Sequence, residues 1–276
     1  MNINKLKEMP SWEWPENAGH VFLGLLRDDQ ADGSERFLAA ELAGDFTVIN
    51  DELAAALLSI LCNSREPDAL RGQAAISLGP ALEYASTDGF DDPDETPITE
   101  PMFRKIQETL EKLYTDAKIP KFVRRMILEG SVRAPEKWHK NAVRAAYRSG
   151  EEDWKLTAVF CMQFIRGFNK EILESLNSKN PDIHYEAVCA AGNWEIAAAW
   201  PHVAALITSE ETEKDLLLAA IESAAFIRPE KASEILGPLL EDEDEDIVDA
   251  AYEALVMAGA LNEDEDEDEE DDKILH

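Results

Sequence analysis

Five histidines and three cysteines are the side chains of this 276-residue chain best suited to hold a metal or attack a substrate. The histidines are His20, His139, His184, His202 and His276, and the thiols are Cys62, Cys161 and Cys189. None stands at ligand spacing. With no HExxH, no CxxC and no histidine pair at i, i+4, neither a zinc nor an iron site is expected. Asp28, Gln30, Asp32 and Gly33 match the opening of a calcium loop, but its bidentate glutamate would fall on Ala39. A polar turn between helices is the expectation there. No GxSxG, Walker A or dinucleotide fingerprint occurs, so no catalytic residue, metal or cofactor is assigned.

Charge narrows the partners. The chain carries 58 acidic and 26 basic side chains, a formal net charge of −32. Phosphate backbones are held through Lys and Arg, so direct nucleic-acid binding is not expected. The acids are unevenly placed: 263–272 is an unbroken acidic run, and 241–246 reads EDEDED. Between 102 and 148 the sign reverses, with 12 basic against 5 acidic residues. Within that stretch Lys137, Lys140, Arg144 and Arg148 fall on an arc of about 80° of a helix, opposite Trp138, Ala142, Val143, Ala145 and Ala146. Arg124, Arg125 and Arg133 extend this strip. It suits an anionic protein surface or the acidic C-terminal run, with a solvated helix face as the plain alternative.

The elements that must position these residues are repeated. PDIHYEAVCAAG at 181–192 recurs as DEDIVDAAYEAL at 244–255 and KDLLLAAIESAA at 214–225. Looser copies stand at 67–79, 120–130 and 153–164. Anchored on Ala74, Met126, Ala158, Ala187, Ala220 and Ala251, the intervals are 52, 32, 29, 33 and 31. A period of this size, two helices per unit, marks a helical solenoid. Helix pairs are expected at 20–43, 47–86, 101–132, 135–166, 168–192, 194–227 and 230–260. Asn50 and Asn180 are expected N-caps, and Pro120, Pro135, Pro181, Pro201 and Pro229 stand at helix starts. Pro80 and Pro238 bend or end a helix. The Pro-rich acidic segment 87–101 is read as a loop inserted into the array, which accounts for the long interval.

These phrases resemble the HEAT-like repeats of the phycobilisome-lyase type, approximately D-x-x-V-R-x-x-A-x-x-A-L-G. Pro181-Asp182-Ile183 with Ala187 and Ala190-Ala191-Gly192 carries the likeness, as does Asp68 with Leu70-Arg71, Ala74-Ala75 and Leu78-Gly79. Asp246-Ile247 with Ala250-Ala251 and Ala254-Leu255 lacks the arginine. The resemblance spans about 65–260 and implies a fold more than an activity, since such repeats serve pigment lyases, their chaperones, repair glycosylases and scaffolds.

The expected architecture is all-α, a right-handed α-α superhelix of HEAT-like pairs over 20–261. A cap segment at 1–19 precedes it, with Trp12, Trp14 and Pro15 covering the first pair, and a disordered acidic tail at 262–276 follows. The expected function is a non-catalytic, monomeric, cytoplasmic scaffold or adaptor for a protein partner. Contacts are expected at Arg124, Arg125, Arg133, Lys137, Lys140, Arg144 and Arg148, with Trp138, Trp154 and Trp194 as anchors where exposed. The alternatives are a lyase-like or chaperone protein for a pigment or prosthetic group, and an acidic nucleic-acid mimic or chaperone of basic proteins. No apolar span or secretory leader is expected, and the cysteines read as buried reduced thiols. The repeat phasing has a direct test: Ala187→Glu forces a charge into a helix crossing and should cost about 3 kcal/mol or more, read from the denaturant midpoint.

Overall fold

The computed structural model describes residues 3–90 and 96–261, and every regular element among them is a helix. The acidic run 263–272 lies outside these residues. The chain divides into two compact units, Met1–Ala146 and Tyr147–His276. No described helix is long and apolar enough to cross a membrane.

In the first unit, α1 (Ile3–Lys7) precedes the pair α2 (Ala18–Arg27) and α3 (Gly33–Leu42). A second pair, α4 (Asp51–Cys62) and α5 (Asp68–Ser77), is followed by the single helix α6 (Gly79–Asp88). A third pair, α7 (Glu100–Thr115) and α8 (Lys121–Ser131), leads to α9 (Lys137–Tyr147), which runs up to the unit boundary. First helices pack on first helices (α2, α4, α7) and second on second (α3, α5, α8), giving a double layer with the core between. The second unit repeats this plan. There α10 (Glu152–Cys161), α12 (Pro181–Asn193), α14 (Lys214–Ile227) and α16 (Glu245–Met257) form one layer. The shorter α11 (Asn169–Ser175), α13 (Trp200–Ile207) and α15 (Pro229–Leu236) pack on it. The chain is thus an all-α, HEAT-like helical-repeat protein.

Local chemistry explains where these helices start and stop. The Asn50 carboxamide accepts from the N–H groups of Glu52 (2.9 Å) and Leu53 (3.0 Å), and Asn180 caps α12 in the same way. Asp32 is also an N-cap: its carboxylate accepts from Ser34 and Glu35 N–H, so the DDQADG segment is the expected turn. The expected helix over 67–86 is broken in two. Pro80 at the second position of α6 cannot bond back to the preceding turn, and α5 ends there. The insertion expected as a loop therefore begins with a helix, α6. Part of that loop is anchored: Asp51 accepts from Thr99 N–H (2.8 Å) and Oγ1 (2.7 Å), and Ile98 is buried.

Of the six expected anchors, Ala74, Ala158, Ala187, Ala220 and Ala251 are wholly buried. Met126 is only half-buried, and the buried position in α8 is Ile127, one residue on. Shifting the phase by one exposes a regularity. Arg36, Arg71 and Arg124 each stand three residues before a buried anchor: Ala39, Ala74 and Ile127. Each reaches the carbonyl of the penultimate residue of the preceding helix. Arg36 Nη2 donates to Leu26 O (3.3 Å), Arg71 Nε to Leu61 O (3.0 Å), and Arg124 Nε to Tyr114 O (2.7 Å). Terminal carbonyls have no partner within their own helix, and a guanidinium supplies one without water. In the second unit Thr212 Oγ1 does the same for Leu206 O (2.8 Å), and the Trp194 indole donates to Met162 O (2.6 Å).

Close approach fixes the second-helix layers. A Cβ added at Gly130 in α8 would lie 2.2 Å from Ala75 O in α5, and one at Gly192 in α12 would lie 2.6 Å from Ser223 Oγ in α14. Only glycine allows these crossings.

Two other expectations change. Trp14 does cover the first pair, edge-on to Phe22 at 5.3 Å and bonded to Leu6 O at 2.9 Å, but Trp12 is 80% exposed. Cys161 is buried, whereas Cys62, the last residue of α4, is exposed and Cys189 is half-buried.

Two residues give quantitative tests. Arg36 also forms a bidentate pair with Glu66 (2.8 and 2.7 Å), with side-chain exposures of only 9% and 10%. Arg36→Met strands that carboxylate and should cost about 3–5 kcal/mol by urea unfolding, much of it recovered in the double variant with Glu66→Leu. His139, at the third position of α9, accepts the Glu136 N–H through Nδ1 (2.9 Å). Its Nε2–H therefore faces Ser131 Oγ (2.9 Å), which donates on to Leu128 O (3.4 Å). Burial holds the imidazole neutral, lowering its pKa from 6.5 to about 4. The unfolded chain takes up that proton first, so stability is full above pH 6.5 and falls towards pH 4. At about 1.4 kcal/mol per pH unit, some 3 kcal/mol should be lost, and His139→Gln should flatten that part of the profile.

Candidate functional site

The basic strip is placed as expected in part. Lys137 and Lys140 are exposed on α9, with Arg144 half-buried beside them. Arg148 is exposed past the end of α9, in the second unit. Ala142, Val143 and Ala146 face inward, but Ala145 is exposed. The arginines of the strip are already engaged: Arg133 is paired with Glu83 (2.5 Å), and Arg124 lies over the Tyr114 ring (5.2 Å) as well as capping α7. Arg125 is half-buried and also has a partner. A strip of seven thus reduces, on the first unit's surface, to Lys137 and Lys140 with the edge of Arg144.

The tryptophan anchors are structural. Trp154 is 8% exposed. Trp138 stacks on His139 (3.7 Å) and leans on Tyr114 (5.0 Å), while its indole donates to Glu136 Oε2 (3.1 Å). Trp194 caps α10 and lies under the Arg166 guanidinium at 4.4 Å. The exposed large apolar side chains are instead Trp12, Phe46, Phe122, Tyr185, Phe226 and Met257.

Three of those six, Tyr185, Phe226 and Met257, lie on the layer α10–α12–α14–α16 of the second unit, and the last two are at a repeated position. Phe226 and Met257 each stand six residues after a buried anchor, Ala220 and Ala251. Glu222 and Glu253, both exposed, each stand two residues after the same anchors. Equivalent positions on packed neighbouring helices are adjacent, and residues four apart are one turn apart. The outcome is a ladder: a carboxylate, and one turn on an apolar side chain, repeated from α14 to α16. On α12 the same face presents Tyr185, Glu186 and Cys189. The Cys189 sulfur, above all, and partial burial push the Tyr185 hydroxyl up to about 12. Burial first, then the Glu186 carboxylate, raise the Cys189 thiol to about 12 as well, so it is no nucleophile. Glu222 acts on both groups, which places Tyr185, Glu186, Cys189 and Glu222 in one neighbourhood. Gln163, just past α10, donates to Glu186 and extends the face.

One contact could not be read from spacing. His184 on α12 and His202 on α13 meet Nε2 to Nε2 at 2.7 Å. Burial lowers the pKa of both, and the His202 ring further disfavours charge on His184. Among the described residues no group of three or more His, Cys, Asp or Glu side chains is arranged to hold a metal.

The first unit contains a cleft of about 440 Å³ whose walls carry Arg27, Asp29, Arg36 and Glu66 beside Ala56 and Ile60. Arg36 Nε, buried at its edge, has no hydrogen-bond partner.

No family model matches the chain, and no curated protein does. Solved structures to which it is similar include YibA of E. coli, at 16% identity over 89% of this chain and 83% of that one, with a TM-score of 0.45. Human deoxyhypusine hydroxylase, solved in complex with glycerol, is 15% identical over 89% of this chain and 97% of that one, with a TM-score of 0.40. A designed armadillo repeat protein is 14% identical over 86% of this chain and 98% of that one, at 0.32.

Proposed function

We propose that this chain is a non-catalytic helical-repeat scaffold that binds a protein partner, and that the partner segment presents basic and apolar side chains together. The ladder of Glu222 with Phe226 and Glu253 with Met257, flanked by Tyr185 and Glu186, carries this reading. Exposed carboxylates draw Lys and Arg and set their register, while aromatic and Met side chains supply the apolar area that holds a contact in salt. The net charge of −32 steers a basic partner towards the chain and disfavours nucleic acid. Three thiols outside any disulfide suit a reducing, cytoplasmic setting.

A second contact, for an anionic partner, rests on exposed Lys137 and Lys140. The finer likeness to pigment-lyase repeats would put a pigment or prosthetic group in the 440 Å³ cleft. The cleft's charged walls support that reading less than the ladder supports the first.

Co-purification from native cells at low and high salt, with wild type and two double variants, tests the choice. Glu222→Lys with Glu253→Lys should release the partner at both salt levels, with the helical signal and melting temperature nearly unchanged. Lys137→Glu with Lys140→Glu should leave it bound. The opposite pattern would move the contact to α9, and retention by both variants would sink both surfaces.

A further inference from the structure

We propose that His184 and His202 form a two-imidazole site for one divalent transition-metal ion, of the copper, nickel or zinc type, between α12 and α13. The carrying observation is geometric. Two half-buried rings from different helices aim their Nε2 atoms at one point, 2.7 Å apart, with centroids at 4.9 Å and planes at 67°. In the neutral pair one Nε2 carries a hydrogen that the other accepts. Transfer of that hydrogen to its own ring's Nδ1 leaves two lone pairs converging on the same point. Among the described residues no protein hydrogen bond to either Nδ1 opposes this change of tautomer.

The distance fits with little adjustment. Metal–imidazole bonds of about 2.0–2.1 Å put two nitrogens about 3 Å apart when they occupy neighbouring positions on one ion. The rings need to open by a few tenths of an ångström, which side-chain torsions absorb. Neutral imidazoles without a carboxylate select borderline cations over magnesium or calcium, and among those the order favours copper. Since among the described residues no third protein ligand converges on the pair, water or a small donor completes the coordination. The site is therefore open, of the exchangeable rather than the structural kind.

The repeat register singles this place out. His184 stands three residues before Ala187, where the first unit has Arg36, Arg71 and Arg124 before their own anchors. An arginine there stays protonated and bonds a helix end; it offers no lone pair to a metal. Histidine at this position gives up the capping role and reaches His202 instead. A bound ion would tie α12 to α13 and stabilise the second unit by mass action.

Copper(II) titration of the full chain, with excess magnesium to occupy the carboxylates, tests the site. Wild type should bind one copper per chain with two nitrogen donors in its paramagnetic resonance spectrum. Its melting temperature should rise with copper and return on adding a chelator. His184→Ala should weaken that binding by on the order of tenfold or more and lose the two-nitrogen signature. His202→Gln, whose amide can still bond His184, guards against a variant that merely fails to fold, and it should lose the signature too. Equal binding by the folded variants and wild type, or oxygen donors only in wild type, would overturn the site. Neither result bears on the Glu222 and Glu253 ladder.

Discussion

Three helix pairs of the first unit end their first helix at a joint with the second, where the last carbonyls have no partner within their own helix. Leaving such a carbonyl unbonded costs about 1–3 kcal/mol, a large share of the stability of a small unit. The first unit meets the constraint with one device used three times. An arginine on the second helix lies ten residues after the carbonyl it bonds, at Leu26, Leu61 and Tyr114. That spacing is set by a short turn plus one turn of the next helix. It places Ala39, Ala74 and Ile127 at the crossings with adjacent pairs. Cap and crossing are thus one unit of design: moving the arginine by a residue would turn the anchor out of the core.

Much of this was legible in the sequence because it is periodic. The buried alanines, the asparagine caps and the prolines at helix starts repeat a local rule that each copy states again. The phase slipped at Met126 because Met126 and Ile127 are both apolar. Only the arginine three residues before the anchor separates them, and that regularity needs hydrogen bonds to be seen. Residues 67–86 were harder for a related reason. Pro80 signals an interruption, but whether α6 continues, bends or restarts depends on what it packs against, and that is α8 and the Glu83–Arg133 pair.

The candidate surfaces were less legible, for a physical reason. A solvent-facing position obeys no packing rule, so its residue type alone does not say whether it is exposed. Tryptophan looks like an interface anchor in any sequence, yet Trp138 stacks on its neighbours, Trp194 bonds a helix end and Trp154 is buried. Tyr185, Phe226 and Met257 sit among residues that read as core, and only their place on the outer side of α12, α14 and α16 reveals them. His184 and His202 are 18 residues apart and meet across a helix joint, a distance that no local spacing rule covers.

The position three residues before the anchor then separates structure from function along the chain. It holds arginine wherever it is needed for a cap, then Lys155, His184, Leu217 and Val248 in the second unit. There the caps pass to Thr212 and Trp194, which lie elsewhere in the repeat. Relief from the capping task frees the position for other chemistry, and each copy has taken a different residue. Lys155 lies over the Tyr147 ring at 5.3 Å, Leu217 and Val248 pack, and His184 finds a second imidazole. The same argument applies to the ladder. Glu222 and Glu253, with Phe226 and Met257, occupy positions whose side chains no helix crossing needs. From α14 to α16 glutamate recurs at one of them and a large apolar side chain at the other without a packing reason, and a binding surface that follows the repeat supplies one.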